Sequence, residues 1–146
     1  MEFIMGVDSL KSVSDVSTWR GVLDPAGREA LDMYWGWNDG FIFFKLEGSS
    51  PQIPLDINGN QPYAYHIGGF GRGINNIKKY SLPFGIQTLN INASQKPRVH
   101  LAANIDELFK TPSTVSIFQT PNVAFDTISV RHSTNTKDMF RFLHID

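Results

Sequence analysis

Apolar positions along this chain come in short runs broken by Gly, Pro, Asn and Ser, and the three-four spacing of an amphipathic helix is scarce. The strongest run, 41–47, is apolar on both faces, as a central strand of a sandwich would be. Further strands are expected over 62–67, 77–82, 86–91, 97–102, 114–118, 124–130 and 139–145. Residues 3–7 read as a strand already in progress, so the chain is expected to begin part-way through a domain. Turn signals separate these runs at Asn58-Gly59, Gly68-Gly69, Asn75-Asn76, Pro83-Phe84-Gly85 and Pro112-Ser113. Two short helices are expected. Asn104 caps one over 105–110, with Glu107 as its capping-box partner, and Asp24-Pro25 opens the other over 26–33. Residues 9–19, rich in Ser and Asp, read as a loop. The pattern predicts an all-β fold, an antiparallel β-sandwich-like domain with one or two short helices, spanning 1–146 as a single domain.

Composition narrows the function classes. With 146 residues, 41% hydrophobic and 18% charged, the chain has enough apolar surface for a core and is neither a disordered tail nor a coiled coil. Thirteen basic against fourteen acidic residues leave no basic excess, which disfavours a nucleic-acid partner. No apolar run approaches the roughly 20 residues of a membrane span. Cysteine is absent, which excludes thiol chemistry and restricts any metal site to His, Met, carboxylate or main-chain ligands. The start, Met1-Glu2-Phe3-Ile4-Met5-Gly6, lacks the basic and long apolar regions of a signal peptide.

Several motif-like stretches fail on spacing. Asp56-Ile57-Asn58-Gly59-Asn60 starts like a calcium loop, but Gln61 and Ile67 stand where that loop requires Gly and Glu, so a polar hairpin turn is expected. Gly68-Gly69-Phe70-Gly71-Arg72-Gly73 has Ile74 where a dinucleotide loop has its third glycine, and no helical pattern follows. A flexible or close-approach loop is the expectation there. Asn92-Ala93-Ser94 is a glycosylation sequon whose use depends on compartment. No serine sits in a G-x-S-x-G context, and Asp24, Asp32 and Asp39 line one loop-rich stretch whose spacing alone does not show a carboxylate pair, so solvated faces and helix caps are the expectation.

Two features carry candidate chemistry. His66 and His100 each interrupt a strand-like run, and in a cysteine-free domain two such imidazoles suit copper or zinc as well as they suit structural hydrogen bonding. His132, beside Arg131 and Ser133, reads as an exposed loop residue, and His144 in the last strand as core or ligand. Trp35 and Trp37 stand two apart before the strongest strand, with Gly36 between them. On a strand they share a face, either as a packed aromatic pair or as a stacking platform for sugars.

The ordered set of these elements resembles the methanobactin-associated MbnP-like proteins, one member of a metallo-mystery pair. Met33-Tyr34-Trp35-Gly36-Trp37-Asn38-Asp39-Gly40-Phe41 runs into Lys45-Leu46-Glu47-Gly48. Tyr65-His66-Ile67-Gly68-Gly69-Phe70, Leu82-Pro83-Phe84, Pro97-Arg98-Val99-His100-Leu101, Asp106-Glu107-Leu108-Phe109 and Phe142-Leu143-His144-Ile145 follow in order. The resemblance covers nearly the whole chain and implies a part missing from the N-terminal side, together with an export signal. It implies a periplasmic, secreted or cell-surface copper-binding protein without catalytic turnover. It further implies a dihaem peroxidase-like partner that oxidises Trp35 or Trp37 to kynurenine, which supplies the aryl amine and carbonyl that intact indole lacks. By the same resemblance His66 is the first-choice imidazole ligand, His100 the second and Met33 a soft ligand. The rival reading is a carbohydrate-binding or surface-adhesion module that uses Trp35 and Trp37 as its platform. A third is a structural fragment with both rings buried.

Overall fold

The computed structural model describes residues 1–24, 26–27, 32–36, 39–71, 73–87, 89–94 and 96–146. The architecture is all-β and sandwich-like, with short helical segments between the strands. Its centre is a four-stranded sheet in the order β2 (Tyr34–Gly36), β3 (Gly40–Ser49), β4 (Pro62–Gly68) and β9 (Asn122–Val123). The first two pairings are antiparallel, and β9 joins β4 in parallel. Three two-stranded antiparallel pairs make up the remaining described strands. They are β1 (Glu2–Met5) with β7 (Lys78–Ser81), β5 (Phe70–Gly71) with β6 (Ile74–Asn75), and β8 (Val99–Ala103) with β10 (Phe140–Ile145).

Alternation along β3 and β4 decides what faces the core. Phe44 pairs with Ile67 and Leu46 with Tyr65, so these four share a face, and Tyr65 and Ile67 are fully buried against Leu108, Val123 and Met139. Lys45 pairs with His66 and Glu47 with Ala64, which puts those residues on the opposite face. A tight turn at Gly68-Gly69 ends β4. A methyl group on Gly69, which sits at φ +77°, would lie 2.5 Å from the Phe125 ring, so this glycine is required both by backbone and by close approach. The buried Asn76 side chain braces the turn, donating to the Gly68 carbonyl at 2.7 Å and to Ser129 Oγ at 2.9 Å.

The strands expected over 3–7, 41–47, 62–67, 77–82, 97–102 and 139–145 are present with shifted ends. Others are not. Residues 124–130 lead into a helix, α2 (Thr127–Asn135), because Asp126 caps it by accepting from Ser129 N–H at 2.7 Å. Its buried face is polar (Ser129, His132, Ser133 and Asn135), so hydrophobic periodicity gave no helical signal. Residues 114–118 form no strand; a turn at 117–119 follows, closed by Thr120 N–H on the Ser116 carbonyl at 2.9 Å. The described residues of 86–91 form no strand, and Ile86 and Ile91 are exposed, leaving no apolar face to bury. The expected loop at 9–19 holds α1 (Ser9–Ser12) and a 3-10 turn (Val16–Thr18), each capped by an Asp, Asp8 and Asp15.

Asn104 caps the segment Ile105–Phe109 as expected, bonding Asp106 N–H and Glu107, though the turn is 3-10. The helix expected over 26–33 falls on residues that include 28–31, outside those described; Asp24 accepts from Ala26 N–H at 3.0 Å at its start. The calcium-loop look-alike is a turn in which Asp56 Oδ1 accepts from Asn58 and Asn60 N–H, each at 2.8 Å.

Candidate functional site

His66 stands on the face of β4 away from the core. The β3–β4 register sets it beside Glu47, whose Oε1 lies 2.7 Å from His66 Nε2, while Lys45 Nζ lies 3.6 Å from the same oxygen. The bond from His66, helped by the Lys45 charge, holds the Glu47 carboxyl below its ordinary value. Glu47 was not singled out from the sequence. Its role depends on strand register, for which the local alternation Lys45-Leu46-Glu47 gives only the face.

Trp35 lies on β2 in the same four-stranded sheet, half-buried, its ring edge-on to Phe125 with centroids 6.2 Å apart. Trp37 lies outside the described residues. Met33 is half-buried just before β2, and its carbonyl accepts from Ile42 N–H at 2.9 Å. Among the described residues the fully buried tryptophan is Trp19, which sequence reasoning passed over. Its indole N–H donates to Ser14 Oγ at 2.7 Å, and its ring packs on Tyr34 and Phe41.

His100 is on β8, in a different sheet from His66. Its neighbour is His144 of β10, the rings parallel within 10° and their centroids 4.2 Å apart. Asp146 Oδ1 lies 2.5 Å from His100 Nε2 and 3.7 Å from His144 Nε2. Main-chain bonds in both directions between Arg98 and Asp146, at 2.7 and 3.1 Å, fix that end of the ladder. Among the described residues, His100, His144 and Asp146 are the group of three ionisable side chains whose ligand atoms fall within 4.8 Å of one another, and His66 is not part of it.

His132 is fully buried in the last turn of α2, correcting the expectation of an exposed loop residue. Its Nδ1 bonds the Leu108 carbonyl at 3.0 Å, and the edges of Tyr65 and Phe109 enclose the ring. Burial pushes its pKa down and so favours the neutral imidazole.

No helix among the described residues is long and apolar enough to cross a membrane. The family model described as MbnP matches residues 1–129 of the chain. No curated protein and no solved structure matches it.

Proposed function

The chain belongs to the MbnP family, and from that premise we propose that it binds copper outside the cytoplasm, as a carrier or store without turnover of a substrate. The observation that carries this reading is the Glu47-oriented imidazole of His66. A metal-ligating histidine commonly gives one ring nitrogen to a carboxylate, which fixes the ring and raises the basicity of the other nitrogen. With Nε2 on Glu47, Nδ1 is the nitrogen that takes the metal. Neutral imidazole suits copper, and the donor set fits it better than it fits a hard cation.

Met33, at the entry to the same sheet, adds a soft thioether. Trp35 or Trp37 is the tryptophan that a dihaem peroxidase-like partner converts to kynurenine, a ligand where intact indole offers only an N–H donor. His100 is separated from this group by its place in another sheet.

Two measurements test the reading on protein purified from its native host. The tryptic peptide 29–45 holds Trp35 and Trp37 and no other tryptophan. Loss of one carbon with gain of one oxygen in that peptide is the expected mass change, and His66→Ala is expected to abolish tight copper binding. Two intact indoles together with an unchanged copper affinity in the variant would overturn it.

A further inference from the structure

The ladder between β8 and β10 contains an irregularity with a chemical consequence. Phe142 pairs with Leu101, and regular pairing would set Leu143 opposite His100. An extra residue intervenes, so His144 takes that place instead. This is the work of a β-bulge, which re-aims a side chain by inserting one residue into one strand. Here it sets two imidazoles opposite one another at the end of a strand pair, with the Asp146 carboxylate beside both.

We propose that His100, His144 and Asp146 form a binding site for a divalent first-row cation that prefers imidazole, zinc or copper(II). The position of the carboxylate points to a shared ion. Asp146 Oδ1 stands beside both ring nitrogens, 2.5 Å from His100 Nε2 and 3.7 Å from His144 Nε2, and an ion held by all three would part the first pair to about the 3.3 Å of tetrahedral ligand atoms. Ligands of one ion aim at the ion and not at each other, and the three ligand atoms already lie within 4.8 Å. Metal–nitrogen bonds of about 2.0–2.1 Å at a tetrahedral angle need nitrogens roughly 3.3 Å apart, within reach of small rotations of partly exposed rings. Two imidazoles and one carboxylate leave a position open for water or an exchanging ligand, and they disfavour magnesium and calcium, which want oxygen.

The site is separate from the copper reading at His66. His144 and Asp146 both lie beyond residue 129, where the family match ends, and the site stands or falls without any modified tryptophan.

The test uses zinc alone, added to the unmodified full chain and followed by calorimetry and by the ring signals of the histidines in NMR. One equivalent is expected to bind, undiminished by excess magnesium, shifting the signals of His100 and His144 and leaving those of His66 and His132. His144→Ala and Asp146→Asn are each expected to weaken binding by at least about tenfold, as loss of a group around a metal commonly does. His66→Ala leaves zinc binding unchanged, so failure at one site is distinguishable from failure at the other. Absence of zinc binding by the wild-type chain, or shifts confined to His66, would overturn the proposal. So would wild-type affinity in His144→Ala.

Discussion

His132 Nδ1 lies 3.0 Å from the main-chain carbonyl of Leu108, and that contact joins the last turn of α2 to the 3-10 turn Ile105–Phe109. Asn135 Nδ2 donates to the same carbonyl at 2.9 Å, so one oxygen holds two side chains of the helix. The join needs a proton on Nδ1, which the neutral Nδ1–H tautomer supplies and the protonated ring would also supply, so it is burial that favours the neutral form. Burial is the larger influence on this ring and lowers its pKa from 6.5, while the Leu108 bond pulls more weakly the other way.

The consequence is a pH dependence of stability. In the unfolded chain the imidazole takes up its proton near pH 6.5, whereas in the folded protein it does so only at lower pH. Between those two values the unfolded state binds more protons, so stability rises with pH across the window and is lost as the solution is acidified through it. His132→Asn keeps a donor for the Leu108 carbonyl and removes the titration. Urea midpoints measured from neutral pH downwards are expected to fall less steeply in the variant than in the wild type. Parallel curves would show that His132 does not carry this linkage.

The sequence was most legible where burial alone decided the structure. Phe41, Ile42, Tyr65 and Ile67 are buried, and the runs that contain them form the paired strands β3 and β4. Gly68-Gly69 was legible as a turn and as either a flexible or a close-approach loop, and the Phe125 ring over Gly69 makes it the close approach. The helix α2 was not, since its buried side is Ser, His and Asn, and its stability comes from the Asp126 cap and from bonds such as Asn76 to Ser129 that join residues far apart in sequence. For the same reason His132 passed for a surface residue. The candidate sites were half-legible. His66 and His100 stood out as imidazoles in strands, but Glu47 became a partner only through strand register, and His144 met His100 only through a bulge that no local pattern announces.

Two glycines separate backbone strain from crowding. Gly59 and Gly69 have nearly the same positive φ, +78° and +77°. Nothing lies within 4 Å of a methyl placed on Gly59, whereas one on Gly69 would lie 2.5 Å from the Phe125 ring and 2.7 Å from the Asp39 carbonyl. Gly59→Ala is therefore expected to cost about 1–2 kcal/mol, the penalty for a left-handed residue with a side chain. Gly69→Ala carries that penalty plus about 1–3 kcal/mol of overpacking. Chemical denaturation of both variants checks the difference. Equal losses would mean that the Phe125 ring moves aside at little cost.

The pairing of Glu47 with His66 makes a prediction that His66→Ala alone does not. If Glu47 orients a ligand imidazole, Glu47→Gln keeps a polar side chain of the same length beside Nε2 but removes the charge that raises the basicity of Nδ1. Copper affinity of the mature protein is expected to fall by about 10–100-fold, the usual effect of losing a carboxylate behind a metal-bound histidine. Both residues are partly exposed and the pair is open to solvent, so the fold is expected to tolerate the change with little loss of stability. The Glu47 carboxyl is held below its ordinary value by the His66 bond, so it stays ionised at the neutral pH of a copper titration. The measurement is competition for copper against a chelator of known affinity, run beside His66→Ala. A Glu47→Gln variant that matches the wild type would mean that the carboxylate is a surface ion partner and that His66 gains nothing from it as a ligand. A fall intermediate between the wild type and His66→Ala is what an orienting group, as distinct from a ligand, produces.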